Sequence, residues 1–114
     1  MKVEDICDLL KARIICGEES KLSEIKKGFS SDLMSDVLTL DTDNLLLITG
    51  LCNLQTIRTA EMADIRYIIF GRNKKIDEGM IKLAKENNMC LIESSYSLFR
   101  ISGILFEAGL KPVY

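Results

Sequence analysis

The chain contains no histidine, and its four cysteines, Cys7, Cys16, Cys52 and Cys90, include no CxxC pair. Without that spacing or an imidazole, a structural zinc site has no ligand set. A serine nucleophile lacks its usual base, and nothing places a lysine or carboxylate beside a serine to replace it. The P-loop pattern GxxxxGK[ST] and the dinucleotide pattern GxGxxG are also missing. No apolar run approaches the roughly 20 residues of a membrane helix. The start, MKVEDICDLL, carries two acids where a secretion signal is basic. The 15 basic and 17 acidic residues are mixed along the chain to a net charge of −2, which leaves no broad basic face for nucleic acid. The one dense basic run is Arg72, Lys74 and Lys75. Asp32 and Asp36 stand at i and i+4, and helix capping and solvation explain them better than paired-carboxylate chemistry. These absences predict a soluble cytoplasmic protein that is not an enzyme, with no metal, no cofactor, no nucleic-acid partner and no membrane partner.

What is present is a folded domain. With 47% hydrophobic residues over 114 positions, the chain has material for one modest core, and residues 1–114 read as a single domain. The cysteines lie in or beside apolar runs and read as small buried hydrophobes. Residues 44–64 organise the rest: four consecutive apolar residues, Leu45 to Ile48, form a strand covered on both faces. Thr49 and Gly50 end it, and a helix follows with Leu54, Ile57, Ala60 and Ala63 on one side and Gln55, Arg58 and Thr59 elsewhere. Before this unit, residues 3–12 read as a helix, 13–16 as a strand and 25–30 as a weaker strand. A short helix capped by Ser31 or Asp32 then presents Leu33, Met34, Val37 and Leu38 as one face. After it come a YIIF strand at 67–70 and a helix capped by Asp77, with Glu78, Lys82 and Glu86 as charge pairs and Asn88 as its C-terminal cap. A strand at 89–92 and a last helix at 97–108, stopped by Gly109 and Pro112, complete the chain.

Strands alternating with helices predict right-handed crossovers and an α/β fold, a three-layer α/β/α sandwich around a mostly parallel sheet of four to five strands. The carboxyl ends of the parallel strands gather on one edge, where such sheets bind ligands. The candidate ligand-binding residues are therefore Thr49, Gly50, Asn53 and Gln55 in the first turn, Arg58 one turn into its helix, Gly71 and Arg72 after the second strand, and Ser94, Ser95 and Tyr96 after the third. The exposed N–H groups of a helix start favour an anion there, and Arg72 can clamp a phosphate while Lys74 or Lys75 steers it. Each of these segments also has a plain reading, as connection, solvated turn or serine cap.

In the last helix, Leu98, Ile101, Leu105 and Ala108 suffice to pack on the sheet. Phe99 and Phe106, seven residues apart with Ser102 and Gly103 between them, occupy a different side. One face cannot bury both sets. Either the first helix or the C-terminal residues 110–114 cover the rings, or Phe99, Ser102, Gly103 and Phe106 form the interface of a homodimer.

The VEDI start, the LLITG and YIIFG strands, the LAKENN helix end, the CLIES strand and the YSLFRISGIL helix together resemble the DRTGG domain family over nearly the whole chain. The sequence departs from the motifs that define that family. Cys52 and Asn53 stand where its Asp-Arg pair falls, Phe70-Gly71-Arg72 where its Thr-Gly-Gly falls, and residues 96–99 near its Asp-Thr-Phe segment, so that Gly71 and Phe99 alone match. The resemblance implies a non-catalytic accessory domain of the kind found in long phosphate acetyltransferases and CBS-containing pyrophosphatases, similar also to the N-terminal domain of HPr kinase. The resulting expectation is a stand-alone regulatory or ligand-sensing module, binding a small anionic ligand or a protein partner and forming a homodimer. A purely structural interaction domain without a ligand is the first alternative, and an enzyme the second.

Overall fold

A computed structural model describes residues 1–114. Its elements are α1 (Val3–Leu10), β1 (Arg13–Cys16), a single 3-10 turn (Glu18–Ser20), β2 (Lys27–Ser30), α2 (Met34–Val37), β3 (Leu45–Thr49), α3 (Leu54–Met62), β4 (Tyr67–Phe70), α4 (Glu78–Glu86), β5 (Cys90–Glu93), α5 (Leu98–Glu107) and β6 (Lys111–Pro112). They form one sheet in the order β1-β5-β4-β3-β2-β6. Neighbours from β5 to β6 are parallel, and only β1 runs antiparallel, against β5.

Three layers follow from the continuous apolar strands. In β3, Leu45 and Leu47 point into one core while Leu46 and Ile48 point into the other, and in β4 Ile68 and Phe70 oppose Ile69 in the same way. A strand that buries both faces cannot alternate with polar residues, which is why LLLIT and YIIF read as unbroken runs. The first core is closed by Met34 and Val37 of α2, Ile57 and Ala60 of α3, and Met80 and Ala84 of α4. The second is closed by Val3, Ile6 and Leu10 of α1 and Ile101 and Leu105 of α5.

The sheet has six strands rather than four to five. The sixth was hidden in the tail because it is two residues long and includes proline. At the sheet edge Pro112 needs no N–H, and Lys111 and Pro112 pair in register with Lys27 and Gly28. The caps Asp77 and Ser97 fall where the residue types indicate, accepting from the backbone N–H of Met80 at 2.9 Å and of Arg100 at 3.2 Å. Asn88 takes the left-handed conformation, φ 56°, that ends α4.

Several side-chain readings are corrected. Asp32 does not cap α2, whose N-cap is Leu33 without a side-chain bond. Ser31 Oγ instead accepts from Leu33 N–H at 3.0 Å. Leu33 and Leu38 are exposed, so α2 seats only Met34 and Val37. In α3, Thr56 and Thr59 are buried and Leu54 reaches the surface, because the Thr56 hydroxyl donates to the Leu51 carbonyl at 2.6 Å and so enters the core with its polarity satisfied. The ion pairs are Met1 amine with Glu24, Arg13 with Glu93 and Lys75 with Glu93, so the Glu78, Lys82 and Glu86 series stays solvated. Ala108 is exposed at the end of α5.

Candidate functional site at the carboxyl edge

The chain leaves β2, β3 and β4 into α2, α3 and α4, all packed on the first core, whereas it leaves β5 into α5 on the second. The connections therefore part between β4 and β5, and that divergence is what opens a crevice in an α/β sheet. The exits of β3 and β4 both turn to the same side, so the sequence-based emphasis on the turn after β3 falls one strand away from the switch point.

The turn after β3 is closed by the chain itself. Asp32 Oδ1 accepts from the Thr49 hydroxyl at 2.8 Å and from Gly50 N–H at 2.7 Å. Thr49 Oγ1 in turn accepts from Leu51 N–H at 3.1 Å. Asn53 is the α3 cap, its side chain accepting from Thr56 N–H at 3.0 Å. The Thr49 hydroxyl and the N–H groups of Gly50, Leu51 and Thr56 are thus engaged, and the Asp32 carboxylate adds a negative charge at the same place. Gln55 and Arg58 are exposed on α3, and Arg58 makes no ion pair with Glu61. Arg72 lies over Gly50, its Cδ 2.8 Å and Nη1 3.1 Å from where a Cβ on Gly50 would stand, with no ion pair of its own.

Between β4 and β5 the backbone is stitched across the crevice floor. Ser94 N–H donates to Phe70 O at 3.0 Å, Arg72 N–H to Tyr96 O at 2.8 Å, and Asn73 N–H to Ser94 O at 3.1 Å, while Gly71 N–H donates on the other side to Thr49 O of β3. Arg72 and Asn73 hold positive φ, 64° and 59°. Gly71 suits a close approach, since a Cβ there would stand 3.1 Å from the Tyr96 carbonyl oxygen and would displace the ends of Ile101 and Leu98. Beside this stitching lies a recess of about 130 Å³ lined by Lys11, Arg13, Asn73, Lys74, Lys75, Glu93, Ser94 and Ser95, with no hydrophobic residue among them. Four cations face one carboxylate there, a balance of +3.

Glu93 is the fixed point of the recess. It is 8% exposed; one oxygen accepts from Ile76 N–H at 2.8 Å, and the other meets Arg13 at 3.2 Å and Lys75 at 3.8 Å. Arg13 reaches it because β1 runs antiparallel to β5 with Arg13 opposite Glu93. Lys11, in the left-handed conformation after α1, completes the rim. Of the candidate residues, Ser94 and Ser95 enter this recess, Thr49, Gly50 and Arg72 form a separate group around Asp32, and Tyr96 stacks under Arg100, whose guanidinium carbon sits 3.7 Å from the ring centre. Sequence reasoning missed Lys11, Arg13 and Glu93. A charged residue closing the apolar CLIE strand was the available signal.

The thiols are set back from such chemistry. Burial, with Cys7 and Cys16 close by, pushes the Cys90 thiol up to about 12. Burial and Asp8 push Cys7 up to about 11. Cys52, whose Sγ lies 3.4 Å from the Lys75 carbonyl, is raised by burial and then by Glu93 and Asp77.

The fold and the edge crevice define a three-layer α/β domain with single-sided crossovers between β2 and β5. No protein-family model matches the chain, and no curated protein matches its sequence. Among solved structures it superposes on the CBS and DRTGG domains of the regulatory region of Clostridium perfringens pyrophosphatase, crystallised with the activator diadenosine tetraphosphate, with a TM-score of 0.77 and 19% identity. The match covers 98% of this chain and 48% of that one, so the chain spans about half the length of its structural neighbour. In fold the chain is a DRTGG-like domain. No helix is long and apolar enough to cross a membrane.

Proposed function

We propose that the chain is a non-catalytic regulatory module of cytoplasmic setting that takes a small phosphate-bearing ligand at the carboxyl edge of its sheet and acts as a homodimer. The observation that carries the ligand reading is the basic recess at the β4/β5 parting, where Lys11, Arg13, Lys74 and Lys75 surround Ser94, Ser95 and a single carboxylate. A phosphate there would replace solvent on cations whose charge exceeds that of Glu93, with the serine hydroxyls as neutral donors. The Thr49–Gly50 group would serve as support rather than as a cradle, since Asp32 occupies its donors. Likeness to a regulatory region that was crystallised with an activator nucleotide agrees with this reading. An interaction domain without a ligand is the alternative.

Thermal-shift measurements with inorganic phosphate, nucleoside phosphates, diadenosine tetraphosphate and acyl-CoA test it, because a ligand bound only by the native state raises the melting temperature. A stabilising ligand should lose its effect in Lys74→Ala/Lys75→Ala and keep most of it in Arg72→Ala. A response lost in Arg72→Ala alone would return the site to the β3 side of the edge. No response to any of these anions at millimolar concentration would favour the ligand-free alternative.

A further inference from the structure

The outer face of α5 carries features that its own fold does not use. Phe99 is 91% and Phe106 69% exposed, so neither α1 nor the tail covers them. Beside them a groove of about 350 Å³ runs between α5 and the β2–β6 edge, walled by Gly28, Leu110 and Pro112. Gly103 stands mid-helix with nothing within 4 Å of where its Cβ would be. Glycine is disfavoured in a helix interior relative to alanine, and here no neighbour within the chain excludes a methyl group.

We infer that this face is the seat of a second copy of the chain, with the two α5 helices antiparallel about a twofold axis at Gly103. This deepens the homodimer part of the proposed function. Helical positions advance by about 100° each, which places Phe99, Gly103 and Phe106 on one stripe and puts Arg100 and Glu107 together on the same flank of it. A twofold axis at residue 103 sets Phe99 beside Phe106 of the second copy, and brings Arg100 alongside the other copy's Glu107 on that shared flank. The pairing occurs twice by symmetry. Gly103 meets itself at the crossing, where the missing side chain permits the closest approach of the helix axes. Arg100 is already held in place by stacking on Tyr96, and its guanidinium edge remains free for a carboxylate. Phenylalanines at the centre, charges at the rim and one small residue at the crossing form a self-complementary patch, the arrangement an isologous interface requires.

Charge reversal tests both the face and the register. Sedimentation equilibrium of wild type should give a dimer at micromolar concentration. Arg100→Glu or Glu107→Arg places like charges together in both symmetry-related pairs and should weaken association by about tenfold or more. The double variant Arg100→Glu/Glu107→Arg restores opposite charges and should recover most of the loss. Phe106→Glu should give a folded monomer, checked by circular dichroism, because the ring is exposed. A wild type that stays monomeric at 100-fold higher concentration would overturn this inference together with the homodimer reading, leaving the ligand response untouched. A dimer indifferent to Phe106→Glu would overturn only this interface, and a double variant no tighter than the single ones would overturn the register.

Discussion

Asp32→Ala is the perturbation that tests whether the turn after β3 is closed as described. Asp32 Oδ1 receives two charge-assisted hydrogen bonds, from the Thr49 hydroxyl at 2.8 Å and from Gly50 N–H at 2.7 Å. Thr49 is fully buried, so water cannot take over its hydroxyl without opening the edge of β3. Hydrogen bonds to charged groups contribute about 1.5–3 kcal/mol each. Because Asp32 itself is exposed, solvent competes for it and the lower end of that range applies, so the pair together stabilises the fold by about 2–4 kcal/mol. Unfolding entropy of about 2.1 cal/mol/K per residue over 114 residues converts this to a fall in melting temperature of about 8–17 °C. Asp32→Asn keeps one acceptor oxygen without the charge and should lose about half as much. Urea and thermal unfolding followed by circular dichroism, at one fixed protein concentration, read both. In a double-mutant cycle, Thr49→Val with Asp32→Ala should cost less than the sum of the two singles by about 1 kcal/mol, because both remove the same bond. If Asp32→Ala unfolds within about 0.5 kcal/mol of wild type, the carboxylate does not hold the turn, and the reason for moving the anion site away from it disappears.

Glu93→Gln keeps an acceptor for Ile76 N–H while raising the charge balance of the recess, so phosphate affinity should rise, measured by titration calorimetry; unchanged affinity would place the anion elsewhere. Glu93→Ala removes the acceptor altogether and should destabilise by about 1–3 kcal/mol, most of it from the buried N–H rather than from the ion pairs, whose basic partners are 72% and 69% exposed. Gly103→Ala should stabilise the monomer by up to about 1 kcal/mol and weaken the dimer, opposite signs that concentration-dependent melting separates. The thiol of Cys90, raised from 9.0 to about 12, ionises first in the unfolded chain. The stability it contributes is complete below about pH 9 and is lost as pH rises toward 12, so the stability gap between wild type and Cys90→Ala should narrow over that window in urea titrations.

Much of the scaffold was legible because burial on both faces leaves a plain mark. LLLIT and YIIF admit no amphipathic reading at four or five residues, and Asp77, Asn88 and Ser97 sit where helix ends need their chemistry. Pairing across the sheet leaves no such mark. β6 consists of two residues, one of them proline, and its evidence is the neighbour it docks on. Asp32 looked like a cap by local spacing, yet its partners are Thr49 and Gly50, 17 and 18 residues away. The site was half legible for the same reason. Ser94, Ser95, Lys74 and Lys75 follow from the rule that ligands gather at strand exits, whereas Arg13 joins them through antiparallel pairing with β5, across 80 residues of sequence.

That pairing also explains why the recess stays polar. β1 leaves α1 at Lys11 and enters the sheet beside β5 in the reverse direction, so the first residues of β1 lie where the last residue of β5 ends. A parallel strand in that position would have brought its own carboxyl end and exit loop to the edge, with backbone carbonyls aimed at the crevice. The antiparallel one brings the start of a strand and the side chains of Lys11 and Arg13 instead. Glu93 then becomes tolerable as a nearly buried carboxylate, because Arg13 and Lys75 both meet one of its oxygens and Ile76 N–H occupies the second. With Glu93 compensated by those two cations, Lys11 and Lys74 remain without an ionic partner at the same opening. It is this residual charge, positioned by one reversed strand, that a phosphate would neutralise, and its affinity should therefore fall steeply with added salt.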